Sequence, residues 1–356
     1  MPDSKFNFVP RALFFCASLL FLCTMQMAAQ ATSPGSPAPP VMREITDGYG
    51  RTVRVPLNPS RIVSLAPSLT ETLYALGVED RLVGDTDYCD YPPEAQKKPK
   101  VGGVINPNLE QIAALHPDLV LMTKEGNQLA TVRSLDALGI SSYATDAHTI
   151  DEIISSTQKL ADVLSVSAAG KVLAEDLRRR LAVLQAKLSG VPPKRVLFIV
   201  WPEPLISIGK NTFVADALHR AGAVSIVDSS QDWPQVNLEE VARLQPEYLV
   251  FAPTHSESGA DDFESLANRP GWRILDAVRN RHFASVSDAI VRPAPRIVSV
   301  IEDLARQLHP EVFPETPGPE KSTTPTGFPA SAHPQPKPVA LRFLTSPCSL
   351  ESPCAR

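Results

Sequence analysis

Trp201, Trp233 and Tyr88 are three of very few aromatic side chains in a chain that is 6% aromatic, and each falls where a strand is expected to end or a loop to begin. Open α/β sheets bind ligands beyond the carboxyl ends of their strands. The residues just past each expected strand are therefore the candidates. In the first half of the chain they are Ala66-Pro67-Ser68, Asp87-Tyr88, Gly102-Gly103-Val104 and Thr123-Lys124. In the second half they are Trp201, Thr254-His255 and the segment from Asp288 to Arg292, with Trp233 in the loop before a helix at Asn237. Indoles and a phenol there make apolar walls with polar tips, and Arg292 can pair with an anion or an amide. Packing in the core is the competing reading for Trp201 and Trp233, and a plain surface histidine is the competing reading for His255.

Arrangements for covalent or metal chemistry are missing from the sequence. It has no G-x-S-x-G, P-loop, H-E-x-x-H or C-x-x-C, and no G-x-G-x-x-G follows an expected strand. The seven histidines are scattered and form no spaced metal pair. The pattern points to binding, with no catalytic residues, cofactor or metal ligands. A net charge of −5 without a basic patch argues against nucleic acid.

Two acids stand out by position. Glu71 lies three residues after Ser68, the spacing of a capping box. Glu239 lies two residues after Asn237, in a first helical turn where the dipole favours a carboxylate. The other reading is that two exposed acids, one per half, meet basic residues on a partner.

The elements that must position these residues are written twice. NLEQIAALHPDLVL at Asn108 recurs as NLEEVARLQPEYLV at Asn237, six of fourteen positions being identical, and RIVSLA at Arg61 matches RVLFIV at Arg195. Strands alternate with helices in both halves, which predicts parallel sheets covered on both faces. The architecture expected is α/β: two Rossmann-like lobes, residues 44–166 and 191–313, with a ligand cleft between them. In 167–190, Leu173, Leu177, Leu181, Leu184 and Leu188 form one apolar stripe, with Ser167 as the expected cap and Gly190 as the stop. Such a helix, about 33 Å long, would bridge the lobes and leave little hinge motion.

The ends differ in composition. Residues 1–31 read as a signal peptide: Lys5 and Arg11, an apolar run from Ala12, then Ala29-Gln30-Ala31 as an A-x-A cleavage site. Residues 32–43 are a Pro/Ser linker, and 314–356 a Pro-rich tail too polar to fold alone. Cys16 and Cys23 would leave with the signal; Cys89 stands alone; Cys348 and Cys354 lie in the tail.

RIVSLAPSLTETLYALG, DYCDYPPEAQ, VGGVINPNLEQIAALHPDLVL, WPQVNLEEVARLQPEYLV and RPAPRIVSVIEDLARQLHP, in that order, resemble the periplasmic substrate-binding proteins for cobalamin and iron–siderophore complexes that serve ABC importers. The resemblance spans roughly 45–312 and is closest in pattern to the cobalamin-binding branch. It implies two α/β lobes on one bridging helix, a monomer in the periplasm, and capture of cobalamin with no bond made or broken. It implies ligand contacts from Tyr88, Trp233 and Arg292, with Trp201 near a family phenylalanine, and docking of Glu71 and Glu239 onto arginines of the permease. Val104 and Thr123 stand where the cobalamin binder has tryptophans, so two stacking surfaces are missing. A ferric siderophore or haem is the alternative cargo, and an exported α/β enzyme the alternative class.

Overall fold

The computed structural model describes residues 41–251 and 261–313. The signal peptide, most of the linker (32–40), Thr254-His255 and the tail with Cys348 and Cys354 lie outside the described residues. Among the described residues no helix is long and apolar enough to cross a membrane.

The first lobe opens on a hairpin, β1 (Met42–Thr46) and β2 (Thr52–Pro56). Its Asp-Gly turn is closed by the Asp47 carboxylate, which accepts from the backbone N–H groups of Tyr49 and Arg51. Then follow β3 (Ile62–Ser64), α1 (Pro67–Ala75), β4 (Leu82–Asp85), α2 (Leu109–Ala114), β5 (Leu119–Thr123), α3 (Leu129–Ala137), β6 (Ser142–Thr145) and α4 (Ile150–Val163). The bridge is α5 (Ser167–Leu188). The second lobe holds β7 (Lys194–Ile199), a short hairpin of β8 (Trp201–Pro202) and β9 (Leu205–Ile206), α6 (Phe213–Arg220), β10 (Ala223–Ser225), α7 (Leu238–Leu244), β11 (Tyr248–Phe251), α8 (Asp261–Ala267), α9 (Asp276–Arg279), β12 (Phe283–Ser285) and α10 (Ile297–Leu308).

Both four-stranded sheets are parallel, and their orders are β4-β3-β5-β6 and β10-β7-β11-β12. Each runs second, first, third, fourth along its own lobe. The repeated stretch in the sequence is thus one α/β unit built twice. In each sheet the order reverses between the first and third strands, so each lobe has its switch point beside β3/β5 or β7/β11. The central strands are apolar along their length because helices cover both faces.

The leucine stripe of α5 packs as its spacing predicts. Leu177, Leu181 and Leu184 are buried in the second lobe's core, and Leu173 and Leu188 pack at its margin. Leu173 also packs against the first lobe's core. Helix α4 is divided in the same way: Ile150, Ile153 and Ile154 belong to the second core, Leu160 and Ala161 to the first. The bridge α5 therefore has a partner that shares both cores. An ion pair between Arg180 and Glu302 at 2.7 Å ties α5 to α10. Ser167 does not cap α5: Val166 holds the cap position, and Ser167 is the first helical residue, where its own N–H is already past the cap. Gly190 does end the helix, with φ +78° in the left-handed region glycine tolerates.

Candidate functional site

The second lobe carries two of its three tryptophans, Trp201 and Trp233, on a stitched platform, while Trp272 is buried in the core. Trp201 on β8 pairs with Ile206 on β9, and Ile206 bridges to Gln235. The loop before α7 is fastened to the same segment by backbone bonds: Gly209 donates to the Asp232 carbonyl, Ser207 to Pro234, and Val236 to Leu205. Trp233 is bracketed by the first two. Gly209 is required there, because a Cβ would stand 1.8 Å from the Gln231 carbonyl oxygen. The indoles themselves are out in water, Trp201 45% and Trp233 40% exposed, so neither packs the core. Trp201 also fixes its ring by donating to the Glu203 carbonyl at 2.8 Å.

The first lobe presents the opposite wall. Tyr88 is half-buried, with its ring edge close to Gly103. Its loop is held by Asp87 N–H donating to Gly102 and Cys89 N–H donating to Thr86. Val104 and Thr123 are joined by a residue the sequence did not single out, Asn127. This buried amide accepts from the Thr123 N–H at 2.8 Å and donates to the carbonyls of Val104 at 2.8 Å and Leu65 at 3.1 Å. One side chain thereby fixes the ends of β3 and β5 and the Gly103–Val104 loop at the switch point. No spacing rule could have found it, since two of its three partners, Val104 and Leu65, lie 23 and 62 residues away.

Under the Tyr88 loop, Lys100 donates to Asp85 at 2.8 Å and to the carbonyls of Cys89 and Ala95. Asp85 is fully buried and its second oxygen has no partner. Burial raises its carboxyl to about 6, against the opposing pull of Lys100. Burial likewise pushes up the Cys89 thiol, which lies between Thr70 and Thr86.

The lobes meet in a charged clasp. Glu71 on α1 accepts from Arg292 at 2.9 Å and from Arg296 through both oxygens at 2.9 and 2.8 Å. Arg292 also binds Asp90 at 2.7 Å and Asp288 at 2.5 Å, and the Arg296 guanidinium stacks 3.9 Å from the Tyr91 ring. Burial pulls the Arg292 guanidinium down, and the bonds and fields of Asp90, Asp288 and Glu71 more than offset it, so its proton is held more firmly than usual. Burial works against ionisation of Asp90, yet Arg292 leaves its carboxyl below the usual range.

The clasp corrects two expectations about Glu71. It is not a capping-box partner: Ala66 occupies the cap position and Pro67 begins the helix, which puts Ser68 inside α1. It is not an exposed acid either, because its side chain is 2% exposed and committed to two arginines. Glu239 is as expected, exposed in the first turn of α7 behind the Asn237 cap. The repeat supplies a matching acid in the first lobe. Glu110 stands in the first turn of α2 behind the Asn108 cap, equally exposed.

Beside the clasp, residues of both lobes enclose a crevice. Leu69, Thr72, Thr123, Glu125, Asp146, Ser156 and Thr157 line it from the first lobe and its helices, and Pro293 from the second. Its volume is about 30 Å³, room for a water or so. A large ligand must part the lobes or sit nearer the rim. The structure thus joins Arg292 and Asp288 to Glu71, Tyr88 to the Gly103–Val104 loop, and Trp201 to Trp233. Among the described residues no group of His, Cys, Asp and Glu could hold a metal.

Two lobes of like topology, fixed to one bridging helix and facing a common crevice, define a substrate-binding protein of the two-lobed extracytoplasmic class. The chain belongs to the periplasmic binding protein family, whose model matches residues 62–289. It is a carrier for an ABC importer and not an enzyme, which removes the exported-enzyme alternative. It is 31% identical over 259 residues to the vitamin B12-binding protein of Vibrio cholerae, covering 71% of this chain and 90% of that one. The crystal structure of the periplasmic vitamin B12 binding protein of Vibrio cholerae matches with TM-score 0.62 at 29% identity, covering 73% of this chain and all of that one. A periplasmic heme binding protein from Pseudomonas aeruginosa matches with TM-score 0.64 at 26% identity, covering 71% of this chain and 93% of that one.

Proposed function

We propose that this protein captures cobalamin or a related corrinoid between its lobes and delivers it to an ABC importer. The observation that carries the reading is the second-lobe platform: two exposed indoles, each fixed by backbone pairing, beside a switch point, in a chain similar to vitamin B12-binding proteins. Exposed indoles cost little to keep ready and gain apolar contact when a flat macrocycle covers them. Tyr88, Val104 and Thr123 form the facing wall, where the two smaller side chains leave room. Arg292 and Asp288 close the rim through the clasp, and release requires Arg292 and Arg296 to let go of Glu71. The chemistry is binding and release only.

Docking on the permease uses one exposed acid per lobe. In this reading these are Glu239 and, in place of the buried Glu71, its repeat counterpart Glu110. Residues 1–31 are removed as a signal peptide, 44–166 and 191–313 act as the two lobes, and the carrier works as a monomer.

Haem or a ferric siderophore is the second reading, supported by the likeness to a heme binding protein. Calorimetric titration of the purified protein with cyanocobalamin, haem and a ferric hydroxamate separates them. Submicromolar binding of cyanocobalamin alone supports the corrinoid; binding of an iron complex alone overturns it.

A further inference from the structure

The segment from Asp85 to Gly102 leaves the first lobe's sheet at the end of β4 and is closed on itself by backbone bonds. Asp85 N–H donates to Pro99 at 3.0 Å, Val101 N–H to Asp85 at 2.8 Å and Asp87 N–H to Gly102 at 3.0 Å. Inside that closure Cys89 is 1% exposed, and its sulfur lies 3.2 Å from the hydroxyls of Thr70 and Thr86. This seats the loop on α1, one residue before Glu71. The neighbours of Cys89 make the contacts that matter to the lobes: Tyr88 lies beside Gly103, Asp90 binds Arg292 at 2.7 Å, and Tyr91 stacks on the Arg296 guanidinium. One short loop therefore carries both the Tyr88 wall and the outer contacts of the clasp. Its middle is held by Lys100. An ammonium has three N–H donors, and three acceptors stand within reach: Asp85 Oδ1 at 2.8 Å, the Cys89 carbonyl at 3.1 Å and the Ala95 carbonyl at 3.2 Å, which are 15, 11 and 5 residues away in the chain. Bonds from an ionised donor are the strong kind. The Gln96 amide adds a bond to the Asp90 carbonyl at 3.2 Å, from an exposed and neutral side chain.

We propose that Lys100 is a positioning residue, which sets the 86–91 loop so that the ligand wall at Tyr88 and the clasp contacts of Asp90 and Tyr91 stand in one fixed relation. The part that concerns the ligand rests on the corrinoid reading. Lys100 touches none of the three residues through their side chains; it acts through the backbone on either side of them. A loop without it would have to be ordered each time a ligand or the clasp formed, and that ordering is subtracted from affinity. Removing the ammonium also leaves the buried Asp85 carboxyl and two carbonyls short of a donor.

The test takes full-length protein and its Lys100→Met variant through two measurements. Amide hydrogen exchange without ligand is expected to quicken about tenfold over residues 86–96 in the variant and to stay unchanged over β5 in the same lobe. No change over 86–96, or equal quickening of both segments, overturns the inference, since the second result is what a merely structural residue gives. Calorimetric titration with cyanocobalamin then compares Lys100→Met, Tyr88→Ala and the double variant. Each single change is expected to weaken binding about tenfold, and the double variant to be within about twofold of the weaker single, because Lys100 acts through the Tyr88 loop. Losses that multiply to about a hundredfold, or an unaltered affinity in Lys100→Met, overturn the inference while leaving the corrinoid reading intact. Should Lys100→Met fail to fold, Asp85→Asn removes one of the three acceptors and is expected to show the same local quickening with a loss of about threefold in affinity; neither effect appearing overturns the inference. If cyanocobalamin does not bind the native protein, the corrinoid reading fails by itself, and the same cycle run with haem decides the role of Lys100. Binding of neither probe overturns both.

Discussion

The Glu71 carboxylate accepts a hydrogen bond from Arg292 at 2.9 Å across the two lobes, between residues 221 apart in the chain. Arg296 completes the contact through both oxygens. An acid that the sequence places at a helix start is thus the anchor of the closed arrangement.

Removing that acid leaves two guanidiniums partly buried and short of a partner. Breaking a buried pair from one side costs about 3–5 kcal/mol; the arginine side chains keep 15% and 21% of their exposure, so Glu71→Gln is expected to cost about 2–3 kcal/mol in urea unfolding. Arg292→Ala should cost less, because Glu71 retains Arg296. A Glu71→Gln loss below about 0.5 kcal/mol would show that the clasp is open in solution.

The tryptophans should separate binding from stability. Trp201→Ala and Trp233→Ala remove exposed rings, so unfolding is expected to change by at most about 0.5 kcal/mol. Ligand affinity should drop at least about tenfold for Trp233→Ala, the loss of one stacking anchor. Calorimetry with cyanocobalamin reads the second and thermal unfolding the first. A large stability loss with intact binding would reverse the assignment.

Gly209→Ala tests the platform from behind. The new methyl would meet backbone at 1.8 Å, which no rotamer can relieve, so the Gln231–Pro234 loop must move. We expect about 2 kcal/mol or more of destabilisation and weakened binding from the displaced Trp233. A variant equal to the native protein in both measurements would mean the loop is not held as described.

Acidification should act on Asp85. Its folded carboxyl is raised to about 6, against an ordinary 3.8. The folded state therefore holds this proton where the unfolded chain has lost it. The stabilising contribution is full below about 3.8 and disappears as pH rises through 6. Asp85→Asn has no such term. From pH 7.5 to 4.5 the native protein should gain roughly 2 kcal/mol relative to the variant, within the span that the raised carboxyl allows. Urea midpoints at the two pH values give the answer, and parallel curves would place Asp85 in a wetter site.

Much of the fold could be read from local pattern. The repeated NLE stretch foretold two like sheets, the strand ends named Trp201 and Tyr88, and the loop before the Asn237 helix named Trp233, because apolar runs and turn residues are local signals. What escaped was set by distant partners. Glu71 looked like a capping acid since Ser68 is three residues away, whereas Pro67 starts the helix one position earlier and Arg292 arrives from the other lobe. Asn127 and Asp85 are likewise defined by backbone groups and charges that only the tertiary fold brings to them.

Leu173 packs against both hydrophobic cores, and α4 contributes side chains to each of them. Neither lobe can shed its core without stripping these shared helices from the other. Heat should therefore melt the pair cooperatively, as a single calorimetric peak whose enthalpy belongs to both lobes together.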